Sequence, residues 1–343
     1  MLAATVNFVA DFAAAQQPSA RKAPPRGFRR LGPGVETTIP RPLDPHDTVT
    51  RHNMVELLAP GVVPDLDWTP TYSSPTKTLK SLATDRAFYR TAWYLQFTFK
   101  PLRLIQVDVP GPNGQLERKV VWYMVYRVQN LGGQLKPVPK EPQTADELAA
   151  APDVQSVDDI GPPGIVFIPK FSLEATIEGQ QQAYADRLIP VAIDAIRRRE
   201  DPNRKLLDSV MVSSHPIPLS TPTGDRSVWG VATWTDIDPR IDFFSIYING
   251  LTNAYRWTDP APESLKPGDP PGTGRQFTHK TLQLNFWRPG DEFALSEDEI
   301  YFGAPADKVA KHTNPDEATA PAEEPSPIGR NWDKIIDYRW IFR

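Results

Sequence analysis

The stretch WYLQFTFK, residues 93–100, decides the fold class of this chain. Apolar side chains at every second position alternate with more polar ones, and a period of two is typical of a β-strand that buries one face. Residues 105–109 repeat the pattern, and PGPNG at 110–114 suits a turn. The chain should return as VVWYMVY, residues 120–126, which is apolar on both faces and therefore predicts a central strand.

Strand patterns continue through the rest of the sequence, at residues 165–173, 206–212, 228–235, 241–248, 277–287 and 332–342. The one convincing helix is predicted for residues 190–200, which have proline in the first turn and three arginines in the last. Hairpin-like runs of strands dominate the pattern. We therefore predict a mainly β fold of antiparallel sandwich-like units, immunoglobulin-like or jelly-roll-like, with one short helix and long Pro-rich loops.

The distribution of 38 prolines divides the 343 residues into segments. Residues 1–34 combine a candidate leader with a basic Pro/Arg-rich linker. The remainder is predicted to form two β units, 35–185 and 186–343, and one merged domain is the alternative. The first unit carries a polar insertion at residues 137–163, and the second a disordered acidic loop at residues 305–327.

The N-terminus has some properties of a leader peptide. Residues 1–17 are of suitable size, and the three alanines at 13–15 suit leader-peptidase cleavage. Asp11 and the lack of a basic start favour instead a short amphipathic helix. We predict a periplasmic or cell-envelope location, with the cytoplasm as the alternative. No apolar run approaches the ~20 residues of a membrane-crossing helix, so no transmembrane segment is predicted.

Charge and composition disfavour several functional classes. The 38 basic and 42 acidic residues give a formal net charge of -4, which disfavours a nucleic-acid partner. The chain has no cysteine, and therefore no disulfide, thiolate metal site or cysteine nucleophile. GxSxG, Walker and GxGxxG motifs are also missing, so we predict no cofactor, assign no catalytic residue and favour a non-enzymatic protein.

Two clusters of acidic residues and histidines have the chemistry of metal ligands. The first contains Asp44, His46, Asp47, His52 and Glu56, and the second Asp236, Asp238 and Asp242. Prolines at the start of the first cluster argue against a metal-binding helix, and Arg240 within the second argues against calcium. We interpret both as solvated surface polarity and predict no metal site. The sequence SSH at 213–215 is not interpreted as a catalytic dyad, because neighbours on a strand point to opposite faces.

Four tryptophans on or beside predicted strands are candidate ligand-binding residues: Trp229, Trp234, Trp257 and Trp287. An exposed aromatic ring can stack on a sugar while its polar end forms hydrogen bonds. The alternative is that they fill the core of a sandwich, as most such residues do.

A basic cluster in the N-terminal linker contains Arg26, Arg29 and Arg30. These residues are candidates for contact with an anion or an acidic partner. The alternative is a solvated tether without a binding role.

The segments WYMVYRVQN, residues 122–130, and DPRIDFF, residues 238–244, with LTN at 251–253, resemble uncharacterised β-rich envelope proteins of planctomycetes. The resemblance covers about the central two-thirds of the chain. It implies a bacterial source and an envelope setting, and it supplies no catalytic residues.

These observations favour a non-enzymatic β-sandwich protein of the bacterial envelope or periplasm with a structural or interaction role. Its partner would be a protein or an envelope glycan. The alternative is a carbohydrate-binding or carbohydrate-active protein, which requires two or more tryptophans exposed in one line or cleft.

Overall fold

A computed structural model shows a mainly β protein with antiparallel sheets, which confirms the predicted fold class. The structure describes residues 27–51, 87–111, 113–138, 152–158, 164–258, 260, 264, 273–289, 300–309 and 335–343.

The strands of this part of the chain are β1 (Thr37–Ile39), β2 (Val49–Arg51), β3 (Ala87–Tyr89), β4 (Gln96–Phe99), β5 (Arg103–Pro110), β6 (Leu116–Gln129), β7 (Gln134–Pro137), β8 (Val154–Val157), β9 (Ile165–Val166), β10 (Lys170–Ile177), β11 (Gln180–Ala185), β12 (Pro216–Ile217), β13 (Val228–Trp234), β14 (Phe243–Asn249), β15 (Tyr255–Thr258), β16 (Gln276–Trp287), β17 (Tyr301–Phe302), β18 (Ala304–Pro305), β19 (Ile335–Ile336) and β20 (Tyr338–Phe342). The helices are a 3₁₀ helix (Pro45–Thr48), α1 (Pro190–Glu200) and α2 (Ser209–Ser213).

The first sheet is built around the long strand β6. Its order is β1-β4-β6-β13, and β5 also pairs with β6. Val128 of β6 stands between Phe97 of β4 and Val228 of β13, so this strand has partners on both edges. The central position predicted from its two apolar faces is therefore correct.

The second sheet has the order β11-β10-β14-β16-β15, and β17 and β20 also pair with β16. Ile246 of β14 lies between Leu173 of β10 and Leu284 of β16. All three side chains are buried, because the period of two places them on the same inward face.

The inner faces of the two sheets share one hydrophobic core. Trp122 of the first sheet meets Phe244 of the second edge-to-face at 5.7 Å, and Phe99 meets Phe286 in the same way at 6.3 Å. Edge-to-face contacts between facing strands are typical of aromatic residues in a sandwich core. The architecture is therefore sandwich-like.

Helix α1 covers the outer face of the first sheet. Ala192 and Ile196 are four residues apart on one helical face and pack in a cluster with Val125 and Val231. At the helix end, the carboxylate of Glu200 accepts hydrogen bonds from neighbouring side chains of the sheet. The predicted bounds of this helix, 190–200, are confirmed.

Helix α2 corrects the sequence prediction, which places a strand at residues 206–212. The alternation of Val210 and Val212 suggests a strand, but Asp208 caps a helical turn instead. Its Oδ1 accepts a hydrogen bond from the Met211 amide at 2.7 Å. The described residues thus contain two α-helices where one is predicted.

Strands from both sides of the predicted division at residue 185 lie in the same sheets. β13 pairs with β6, and β14 pairs with β10.

Within the predicted insertion 137–163, β8 pairs with β7. The predicted disordered loop begins with a packed segment, since Pro305 lies in β18 and Val309 is 4% exposed.

Other sequence predictions fall outside the described residues. These are the candidate leader, Arg26, His52, Glu56, most of the polar insertion and residues 310–327. Neither of the two described α-helices has the length and apolar character required to cross a membrane.

Candidate functional site

A cleft of about 520 Å³ lies where the chain leaves helix α1 and passes beside β13. It is lined by Asp201, Asn203, Arg204, Lys205, Leu207, His215, Ser227, Val228 and Trp229. The Leu207 amide donates to the Trp229 carbonyl at 3.1 Å, which fixes this loop along the edge of β13. We name this feature the Trp229 cleft.

Trp229 supports a cation in this cleft. The guanidinium carbon of Arg204 lies 4.1 Å from the centre of the indole ring, a cation–π contact. Arg204 Nε also donates to Asp201 Oδ2 at 3.0 Å. This hydrogen bond, followed by that from the Asn203 amide, lowers the pKa of Asp201 below its ordinary value. The ring and the carboxylate together hold the guanidinium in one orientation.

Several hydrogen-bonding groups of the cleft have no partner within the described part of the chain. They are the two Nη groups of Arg204, the Lys205 ammonium and the side-chain amide of Asn203. The cleft therefore presents two cations and a neutral donor, with one carboxylate already engaged. Such a set is suited to an anionic group that also carries hydroxyls.

The neutral imidazole ring of His215 provides a hydrogen-bond acceptor in the cleft. Its Nδ1 lies 2.6 Å from the Met211 carbonyl, which can only accept, so Nδ1 carries the proton. Nε2 of the neutral ring is then free to accept a hydrogen bond. Ser214 Oγ lies 3.3 Å from the same Nδ1, but a nitrogen that carries a proton cannot act as its base, and the hydroxyl donates instead to the Met211 carbonyl at 2.8 Å. Ser214 and His215 follow helix α2 and not a strand, so the strand geometry predicted for residues 213–215 does not apply to them.

Arg127 is a second cation close to Trp229. It lies opposite Trp229 in the sheet register, and its guanidinium carbon is 5.6 Å from the ring centre. Its terminal nitrogens lie 3.7 Å from Glu36 and 3.6 Å from Asp225, while Nε is buried without a hydrogen-bond acceptor. Arg127 therefore reaches the ring as a cation that is already flanked by two carboxylates.

The structure does not bring the four candidate tryptophans together. Trp234 is fully buried in the core between the sheets, and Trp229 and Trp287 are each 9% exposed. Trp257 is half-buried, with Arg275 3.2 Å over its ring. Trp257 lies in β15 and pairs with Phe277 near the start of β16, whereas Trp287 ends β16, so the two are ~33 Å apart by strand geometry. Among the described residues there is no line of exposed tryptophans.

The basic cluster of the N-terminal linker is partly packed on the body. The Arg29 backbone pairs with Phe302, and its side chain forms an ion pair with Asp337. Phe28 beside it is buried against Trp287 at 4.4 Å. Arg30 is exposed. This placement differs from a free arm or a solvated tether, because Phe28 gains an apolar contact that anchors the segment.

Two of the three acidic residues of the second metal candidate, Asp236 and Asp238, are neutralised by cations of the protein. Asp236 accepts from Lys119 at 3.1 Å and from Arg187 at 3.2 Å, and Asp238 accepts from Arg240 at 2.8 Å. They line a second cleft, of about 620 Å³, with Tyr184. In the first candidate, Asp47 is buried and bound to Lys280. The described residues contain no group of three or more acidic or histidine side chains that could hold a metal ion.

No family model matches this chain, and no curated protein or solved structure is significantly similar to it.

Sequence reasoning identified Trp229 but missed Arg204 and Lys205. These two cations follow a helix that already ends in three arginines, so they carry no distinct signal in the sequence. Their role depends on the contact between the loop after α1 and β13, which is a tertiary feature.

Proposed function

We propose that this protein is a non-enzymatic binding module of the bacterial envelope and that the Trp229 cleft holds an acidic saccharide. The observation that carries the proposal is the position of Arg204. Its guanidinium rests on the Trp229 ring at 4.1 Å, and its two Nη groups have no acceptor in the described chain. Two parallel N–H groups of a fixed guanidinium match the two oxygens of a carboxylate.

An acidic sugar fits the cleft better than a neutral one. A neutral sugar binds mainly by stacking on an uncovered ring, but Trp229 is 9% exposed and covered by Arg204. A uronic acid instead offers a carboxylate to Arg204 and Lys205. Its hydroxyls would meet Asn203 and the Nε2 acceptor of His215. The aromatic residue therefore acts through the cation that it supports.

The envelope setting is supported by the resemblance of residues 122–130 and 238–244 and by the candidate leader at residues 1–17. Acidic polysaccharides are common outside bacterial cells, where such a module would meet them. A role in holding the protein to an acidic glycan agrees with the absence of a recognisable catalytic motif.

Titration calorimetry with the full chain tests the proposal. The ligands are a galacturonate trimer and the neutral galactose trimer of the same length. We expect binding of the acidic trimer to be at least about tenfold tighter, since a bidentate carboxylate contact contributes more than one kcal/mol. The difference should decrease as salt is raised, because the cations are partly exposed.

Arg204→Ala and Arg240→Ala form a matched pair of variants. Both remove a partly exposed arginine that is paired with a nearby aspartate, but Arg240 lines the second cleft. We expect Arg204→Ala to weaken binding of the acidic trimer about tenfold and Arg240→Ala to leave it unchanged. Equal binding of both trimers, or an equal loss in both variants, would refute the proposed site.

A further inference from the structure

Lys280 and Asp47 form a buried contact between the N-terminal part of the chain and the second sheet. Lys280 lies in β16 and is 6% exposed, and Asp47 lies in the 3₁₀ helix and is 3% exposed. The side-chain nitrogen of Lys280, Nζ, is 2.5 Å from Asp47 Oδ2. The carboxyl carbon is bonded to Oδ2, so the two atoms that would react, Nζ and this carbon, are close to the ~3–3.5 Å separation of a near-attack geometry.

Tyr94 provides a fixed hydrogen-bond donor to the same carboxyl group. Its hydroxyl donates to Asp47 Oδ2 at 2.8 Å, and the residue is fully buried. Burial, followed by the negative charge of Asp47, raises the pKa of Tyr94 far above its ordinary value, so the hydroxyl keeps its proton. A donor fixed at Oδ2 stabilises the negative charge that develops there when a nucleophile adds to the carboxyl carbon.

The two aspartates near Lys280 have opposite protonation tendencies. Burial raises the pKa of Asp47 and outweighs its contacts with Lys280 and Tyr94, which favours the neutral, electrophilic acid. Burial would also raise the pKa of Asp44. There, however, the hydrogen bond from the His46 amide and the charge of Lys280 outweigh burial, and the pKa is lowered. Asp44 Oδ2 is 3.6 Å from Lys280 Nζ and is placed to accept its proton.

The backbone of the 3₁₀ helix is fixed on the sheet by Arg90. Its Nε donates to the Asp47 carbonyl at 3.0 Å, and its Nη2 donates to the Tyr255 carbonyl at 3.1 Å. The Arg90 guanidinium also lies 4.0 Å over the Tyr255 ring. The Asp47 backbone is therefore tied through Arg90 to β15, the strand that pairs with β16, by contacts that do not involve its own side chain.

We propose that Lys280 and Asp47 join in an intramolecular isopeptide bond. The Lys280 ammonium gives one proton to the Asp44 carboxylate, and the resulting amine adds to the carboxyl carbon of neutral Asp47. Oδ2 carries the negative charge of the addition intermediate and accepts the Tyr94 hydrogen bond. The nitrogen then loses a second proton to the departing Oδ1 hydroxyl, which leaves as water as the carbonyl re-forms. One C–N bond forms, one C–O bond breaks, and no oxidant or other co-reactant is required.

The other lysine–aspartate pair of the described chain lacks these conditions. Lys119 lies 3.1 Å from Asp236, but their side chains are 33% and 53% exposed. Asp236 has a lowered pKa, which favours its charged form: burial tends to raise the pKa, but hydrogen bonds from Lys119 and Thr235 outweigh burial. The reaction therefore belongs to the Lys280 site, and Lys119 serves as the control.

Intact-mass measurement of the denatured full chain tests the bond directly. We expect a mass about 18 Da below that calculated from the sequence, because amide formation from an amine and a carboxylic acid releases one water. After tryptic digestion, the peptide containing Asp47 should be joined to the one containing Lys280, and cleavage after residue 280 should be lost. Lys280→Arg should restore the calculated mass, and Lys119→Arg should leave the deficit intact.

Asp47→Asn keeps the shape of the site and changes the leaving group. It should form the same cross-link with a loss of about 17 Da, since ammonia departs in place of water. A wild-type protein of full calculated mass, with normal cleavage after Lys280, would overturn the proposal. A deficit confined to one unlinked peptide would overturn it equally, because dehydration of an aspartate alone also removes water.

Discussion

Asp186 Oδ1 accepts a hydrogen bond from the Thr233 backbone amide at 2.8 Å. A side chain thus provides the acceptor for a backbone amide at the edge of β13. Asp186 Oδ2 accepts a hydrogen bond from Ser209 at the start of α2. Burial raises the pKa of Asp186 to about 6, although these two hydrogen bonds act to lower it. The carboxyl group that closes this edge is therefore costly to ionise.

The first prediction concerns the pH dependence of folding. An unfolded aspartate has a pKa of ~3.9, so between about pH 4 and pH 6 the folded state binds more protons at Asp186 than the unfolded state. The contribution of this residue to the free energy of unfolding is greatest below pH 4. It should fall by about 2 kcal/mol as pH rises to 7. Urea denaturation from pH 4 to pH 7 measures it.

Asp186→Asn is the control for this prediction. The asparagine carbonyl can still accept from Thr233, and its amide can donate to Ser209, but it does not titrate. As pH rises, the free energy of unfolding of the wild type should therefore decrease relative to that of the variant. A difference that is constant across this range would contradict the assignment to Asp186.

The second prediction concerns Gly230, which lies opposite Tyr126 in the first sheet. A Cβ added at Gly230 would stand 2.4 Å from the Tyr126 ring, so the large aromatic side chain occupies the space that a side chain would need. Gly230→Ala should lower the free energy of unfolding by about 2 kcal/mol, because overpacking forces the ring from its rotamer. Gly224→Ala meets only Thr221 Oγ1 at 3.4 Å and should change stability little. Chemical denaturation compares the two.

Much of the fold follows from local sequence patterns. The period of two in residues 93–100 and the doubly apolar segment 120–126 correspond to β4 and the central strand β6. Proline and the basic residues mark both ends of α1. Helix α2 was missed because its valines resemble a strand, and only Asp208 gives a capping signal. A five-residue helix is too short for its periodicity to be read.

The sites depend on contacts between distant residues. Trp229 could be identified by its type, but the sequence does not show that Arg204 lies over its ring. Asp47 was noticed as a metal candidate, whereas its actual partner is Lys280, 233 residues away. A single sequence contains no signal that joins residues so far apart, because their proximity follows from how the sheets pack.

The third prediction tests how the Trp229 cleft presents its cation. Arg204→Lys keeps the positive charge but loses the planar group that rests on Trp229 and donates through Nε to Asp201. We expect affinity for the galacturonate trimer to fall about fivefold, equivalent to ~1 kcal/mol for the lost contacts. Lys205→Arg keeps its charge without such constraints and should bind within about twofold of wild type. Similar affinities for both variants would show that charge alone is recognised.

The fourth prediction concerns Glu200, which joins α1 to the first sheet. Its side chain is 3% exposed and accepts hydrogen bonds from Arg103 at 2.8 Å and from the Tyr123 hydroxyl at 2.9 Å. Glu200→Ala removes the carboxylate that the partly buried cations Lys100 and Arg103 contact and should lower the free energy of unfolding by about 3 kcal/mol. Asp194→Ala, on the exposed side of the same helix, removes only a surface pair and should cost less than about 1 kcal/mol.

Tyr123→Phe in the Glu200→Ala background should then cost less than in wild type, since the two residues share one hydrogen bond. Additive costs in this double-mutant cycle would show that the hydrogen bond does not contribute to the attachment of the helix.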